Sequence, residues 1–170
     1  MFITGDEDAF PNNAVELIHT RMTMLHDDLF VTRRPLRAED PQESIGVFPS
    51  LWTPDPESYE IWNDGTGGAP GSSEPSLGRY VIGIQAFIKD MDEEVGSARH
   101  SILSTIVRGI LYRDQSLRIA LASLNVEVSG VRERVMKWGV TTQRFLSNEI
   151  GNNEWLFLST VEFWLDTEIY

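Results

Sequence analysis

The chain has 170 residues, 41% of them hydrophobic, with no cysteine and a formal charge of −12. That length supports one well-buried core and excludes two full-sized domains. The missing cysteine removes disulfides, thiolate metal sites and cysteine nucleophiles together, and suits assembly in a reducing cytoplasm.

The acid is unevenly placed: residues 1–75 hold 14 acidic and 4 basic side chains, residues 76–170 hold 12 and 10. No basic run exceeds Arg33-Arg34, so the footprint a DNA binder needs to displace phosphate counterions is missing. Such acidity serves solubility, and it also tolerates passing DNA without gripping it. Met1 to Asp8 carry no basic or apolar segment of a signal peptide, and no uncharged apolar run approaches the roughly 20 residues of a membrane span. A soluble, non-exported protein is expected, with no membrane contact.

Asn13 as N-cap places Glu16 at the third helical position, a capping-box spacing. Val15, Ile18, Met22, Leu25 and Leu29 then step by three and four, which predicts a first helix over 14–30, packed on a sheet and ending before Arg33-Arg34-Pro35. Short strands are expected at Ser44 to Phe48 and Ser58 to Trp62. Between Asn63 and Gly78, glycine, proline and serine dominate, which predicts a long loop suited to contact with another molecule or tolerated as an insertion. Arg79 to Lys89 has apolar side chains on both parities, as a central strand covered on both faces does.

Asp90, Asp92, Glu93 and Glu94 gather acid where a helix N-terminus favours it, with Arg108 and Arg113 toward the other end. Val95, Ala98, Ile102, Ile106 and Ile110 give the buried stripe of a second helix, about 92–112. Ser116 to Leu124 reads as a helical turn or a strand. Val131 to Ser147 and Glu154 to Ile169 face each other across the turn 148–153 as a long closing β-hairpin, with a bulge near Gly139 to Thr142 needed to keep its faces in phase. On the second arm Trp155, Phe157, Ser159, Val161, Phe163 and Leu165 alternate with Leu156, Leu158, Thr160, Glu162, Trp164 and Asp166. Both faces are apolar in the middle, so the second needs a helix or a neighbouring subunit over it. A helix is expected there, because two are available. The fold class is α+β, a mostly antiparallel (mixed) sheet of about 4–5 strands with two main helices and the hairpin, in a single domain over 1–170.

Catalytic chemistry is hard to find. His19 and His26 are seven residues apart on the first helix, about 10 Å along its axis and too far for one metal ion. His100 lies on another helix. Asp90, Asp92, Glu93 and Glu94 lack the spacing of a calcium loop, and helix capping accounts for them. Gly65-Thr-Gly-Gly68 is followed by no Lys-Ser/Thr, and no serine stands in Gly-x-Ser-x-Gly. No catalytic residue, metal or cofactor is expected.

The first helix with its Arg33-Arg34-Pro35 exit and Tyr80-Val-Ile-Gly-Ile-Gln-Ala-Phe87 leading into the acid-capped helix form a recognisable pattern. So do Leu111-Tyr-Arg-Asp114, Val131-Arg-Glu-Arg-Val-Met-Lys-Trp-Gly-Val140 running on to Gln143-Arg-Phe-Leu146, and the end Glu154 to Glu168. In these segments the chain resembles the tail terminator proteins of long-tailed bacteriophages, more narrowly those of siphophages infecting actinobacteria. The resemblance covers most of the chain; the 54–78 connection is longer than in that family. It implies a virion protein assembled in the host cytoplasm. Such a protein forms a homohexameric ring on the head-proximal end of the tail tube, stops polymerisation of the major tail protein and receives the head-side connector. Genomic double-stranded DNA passes through the lumen without sequence-specific binding. Expected contact residues are Gly65, Gly68 and Ser72 in the loop, Asn148, Glu149 and Asn152 at the hairpin turn, Trp138, Trp164 and the acidic N-terminal arm. The rival readings are a head-side connector or stopper and, from another class, a small cytosolic enzyme or regulatory domain.

Overall fold

The computed structural model describes residues 9–25, 28–54 and 76–169, which form an α+β domain. In chain order the elements are α1 (Phe10–Thr23), β1 (Phe30–Thr32), β2 (Glu43–Pro54), β3 (Ser76–Asp90), α2 (Glu93–Arg113), α3 (Gln115–Ala122), β4 (Asn125–Val128), β5 (Val131–Glu149) and β6 (Trp155–Ile169). One six-stranded sheet has the order β1-β2-β3-β6-β5-β4. Only β1 and β2 pair in parallel; the other neighbours are antiparallel. The sheet therefore exceeds the expected 4–5 strands by β1 and β4, too short to show a period of two in sequence.

The first helix starts four residues before the expected position and ends at Thr23 rather than residue 30. Pro11 explains the start, since its fixed φ and missing N–H suit the first turn of a helix. Asn13 then lies inside that turn, its side-chain amide donating to the Ala9 carbonyl at 3.2 Å instead of capping. The stripe survives the shift: Val15, Ile18 and Met22 are buried, and Leu25 and Leu29 pack on the core from beyond the helix. The second helix begins as its acid predicts, with Asp92 accepting from the Val95 amide at 3.0 Å and Glu93 and Glu94 in the first turn. Asp114 ends α2 and caps α3, accepting from the Leu117 amide at 2.9 Å, and Arg21 of α1 donates to it at 2.7 Å.

All three helices lie toward one face of the sheet, where Ile45, Val47, Ile82, Ile84, Ile88, Val161, Phe163 and Leu165 meet Ile18, Met22, Val107 and Leu117 in one apolar core. β3 is interior, as expected, and is covered on both faces. Behind it the chain from Arg33 to Gln42 crosses the sheet: Leu36 N–H donates to Gln85 Oε1 at 2.9 Å, and Lys89 Nζ donates to the Ala38 and Asp40 carbonyls at 2.7 and 2.6 Å. Gly46 permits that crossing, since a Cβ there would lie 2.5 Å from the Arg34 carbonyl oxygen.

The closing hairpin is longer on its first arm than expected, reaching Glu149. Its turn is closed by Ile150 N–H to the Glu154 carbonyl at 2.8 Å, with Gly151, Asn152 and Asn153 all at positive φ. The register shifts between Val140 and Thr142, where a bulge was expected, and again between Val135 and Lys137, where none was. A tighter hairpin joins β4 to β5 through Ser129 and Gly130, both at positive φ as a two-residue primed turn requires. The run 116–124 resolves to helix, as α3. The strand expected at 58–62 and most of the 63–78 loop fall outside the described residues, but Ser76 to Gly78 belong to β3 and not to that loop.

Candidate interaction surface

Three features of the described surface bear on function. The first is the back of the hairpin. Leu156, Leu158, Thr160, Glu162, Trp164 and Asp166 alternate with the buried side of β6 as expected, and each is half-buried, with no helix of the described residues over them. Among the described residues the helix expected there is not found: the described helices and the core share the other face, and the 33–42 crossing contacts β2 and β3. Charged side chains shelter part of this face. Arg79 pairs with Asp166 through both carboxylate oxygens at 2.5 and 2.9 Å and lies 4.4 Å above the Trp164 ring. Lys137 approaches the same carboxylate at 3.3 Å. Hydrogen bonding from Arg79 holds Asp166 below the usual carboxylate range. Trp164 sits flat against Gly139, where a Cβ would meet its ring at 2.6 Å.

The second feature is a pair of open sheet edges. β4 pairs only with Val131 to Arg134 of β5, so the outer edge of β5 from Val135 to Glu149 has no strand partner among the described residues. At the opposite end β1 covers only Ser44 to Gly46 of β2, which leaves Val47 to Pro54 likewise open. Unpaired edges invite another chain, and this one is blunted by two bulges and Lys137 on β5 and by Pro49 and Pro54 on β2. Large apolar side chains are exposed along both: Phe145 and Leu146 on one, Leu51 and Trp52 on the other.

The third feature is the outer face of α2. Its buried side consists of Gly96, His100, Leu103, Ser104, Val107 and Leu111, not of the stripe expected from sequence. Val95, Ala98, Ile102 and Ile106 of that stripe point to solvent and only Ile110 is partly buried, with Ile102 62% exposed and Leu103 beside it 9%. A groove of about 260 Å³ runs along one flank, lined by Leu25, Leu29, Ile88, Arg99, Ile102 and Ile106.

Buried polar groups beneath these surfaces are tied to one another. Glu133 accepts from the Tyr80 hydroxyl at 3.2 Å and from Thr167 at 2.6 Å; burial pushes its carboxyl above the usual range, and burial beside that carboxylate pushes the Tyr80 hydroxyl up as well. His100, held low by burial, lies between Phe145 and Phe157 with the Ser104 hydroxyl 3.4 Å from its ring nitrogen. Ser104 in turn lies 3.0 Å from the Ser159 hydroxyl. At 2% exposure Ser104 offers a substrate no access, and this chain of contacts stitches α2 to β6. Of the Asp90 to Glu94 acid, Asp92 caps α2, and Asp90 pairs at 2.6 Å with Arg99, which also pairs with Glu43. His19 faces the Val31 carbonyl at 3.3 Å. No group of three or more possible metal ligands occurs among the described residues.

The expected contact residues are not gathered in one place. Asn148, Glu149 and Asn152 are exposed at the hairpin turn. Trp138 and Trp164 sit on opposite faces of the sheet, Trp138 against the core and Trp164 on the back. Gly65, Gly68, Ser72, His26 and the N-terminal arm to Asp8 lie outside the described residues. Sheet edges or hairpin arms are what the resemblance implies a neighbour would cover, but which edges stay open was not legible in the sequence, because that depends on how little of β5 and β2 the short strands β4 and β1 cover. No helix of the described residues is long and apolar enough to cross a membrane. A scan against protein-family models gives no match, and a search of curated proteins gives no significant one.

Proposed function

We propose that this chain is a structural virion protein, a phage tail terminator. In this reading six copies form a ring on the head-proximal end of the tail tube, stop its polymerisation and present the opposite face to the head-side connector. The observation that carries the proposal is the pair of open edges at opposite ends of one sheet. An edge on β5 that meets the β2 edge of the next copy makes a head-to-tail contact, and a head-to-tail contact closes into a ring when its rotation allows. The half-exposed back of the hairpin and its turn are then free for tube and connector, and a charge of −12 suits a lumen that duplex DNA must slide through. The reading needs no catalytic group, metal or cofactor.

The test is direct. Purified protein added to polymerising tail-tube subunits, at one hexamer per tube end, is expected to arrest elongation and appear as a cap on one end of each tube in negative-stain images. Tubes that lengthen unhindered while the protein binds isolated heads place it on the connector side instead.

A further inference from the structure

α2 is apolar on both sides. Leu103, Val107 and Leu111 pack on the sheet, while Val95, Ala98, Ile102, Ile106 and Gly109 follow one another along the opposite, solvent-facing side. A contiguous apolar strip left on the outer side of a helix marks a surface that a partner covers. Gly109 belongs to this face: glycine weakens a helix interior, and here nothing in the fold requires it, since an added Cβ would meet nothing within 4 Å. The charges at the two ends are complementary. Glu93 and Glu94 sit at the N-terminus and Arg113 in the last turn, and none of the three has an ion-pair partner among the described residues.

We propose that the outer face of α2 pairs with the same face of a second copy, the two helices running antiparallel about a two-fold axis between Leu103 and Ser104. That one arrangement places Glu94 across from Arg113, Ala98 across from Gly109 and Ile102 across from Thr105. Charges meet opposite charges, the helix dipoles oppose each other favourably, and the two smallest side chains meet where the backbones must approach. The partner is a second copy because the pattern is complementary to itself when reversed. The pairing stands apart from the tail reading: it closes at two copies, uses a helix face rather than the strand edges, and needs no tail component.

Sedimentation velocity of the purified chain over a concentration series tests it. A species of twice the 19.3 kDa chain mass is expected, growing with concentration. Ile102→Glu, at an exposed position that leaves the fold intact by circular dichroism, sets two carboxylates against each other near the axis and is expected to weaken association by roughly 100-fold or more. Glu94→Arg and Arg113→Glu each weaken it by about tenfold, and together they restore it, since the double variant keeps the pairing with its charges exchanged. A chain that stays monomeric throughout, an oligomer indifferent to Ile102→Glu, or a double reversal no better than the single ones overturns the pairing.

Discussion

Asp40 shows how much one side chain organises the back of the sheet. It accepts from Arg34 at 2.6 and 2.9 Å and from the Arg37 amide at 2.8 Å, and hydrogen bonding to Arg34 lowers its carboxyl from 3.8 to about 2. A depressed carboxyl contributes stability that is complete above 3.8 and is lost as pH falls through about 2. Asp40→Asn is expected to cost about 1.5–3 kcal/mol at neutral pH by urea unfolding and to flatten the acid limb of the stability profile between those two values. Glu133 has the opposite sign. Its carboxyl is raised above 4.5 by burial, so its contribution is fully present below 4.5 and is eroded as the pH rises past its folded value. Glu133→Gln, which keeps an acceptor and exchanges a buried charge for an amide, is expected to raise the melting temperature at pH 7, with the gap to wild type closing below 4.5. A melting temperature that falls equally at both pH values contradicts the assignment of that cost to the buried charge.

At the scale of elements, α2 separates what the sequence contains from what only the fold decides. The chain offers two apolar series on one helix, Val95-Ala98-Ile102-Ile106-Ile110 and Leu103-Val107-Leu111, and the longer one is the natural choice for the core. The sheet takes the shorter one together with Gly96, His100 and Ser104, because Gly96 lets the helix approach the Phe157 ring and the two polar residues meet Phe157 and Ser159. Adjacent substitutions make this measurable. Leu103→Ala is expected to cost about 2–4 kcal/mol, whereas Ile102→Ala changes monomer stability by no more than about 0.5 kcal/mol. The reverse order would place the sheet on the other side of the helix. Elsewhere the strong periodic signals were legible: the acid cap at Asp92, the interior strand over Arg79 to Lys89, the alternation of β6 and the bulge after Val140. What escaped was short or non-local. β1 has three residues and β4 four, the helix start turned on Pro11, and the cover over β3's second face came from an irregular segment with no period to read.

At the scale of the whole molecule, the sheet carries its described helices on one face and, among the described residues, leaves a long strand edge open at either end. Two open edges on one subunit are a hazard in a lone protein and an assembly device in a ring, where each edge is covered by the next copy and none remains. That logic, joined to the resemblance in the first helix, the interior strand and the closing hairpin, supports the proposal that the chain acts at the end of a tail tube. The most direct measurement is negative-stain microscopy of particles made when this reading frame is disrupted in the genome that carries it. Tail tubes of uncontrolled, excessive length without heads are the predicted result; tails of normal length beside unjoined heads, or intact particles, would contradict termination as the function.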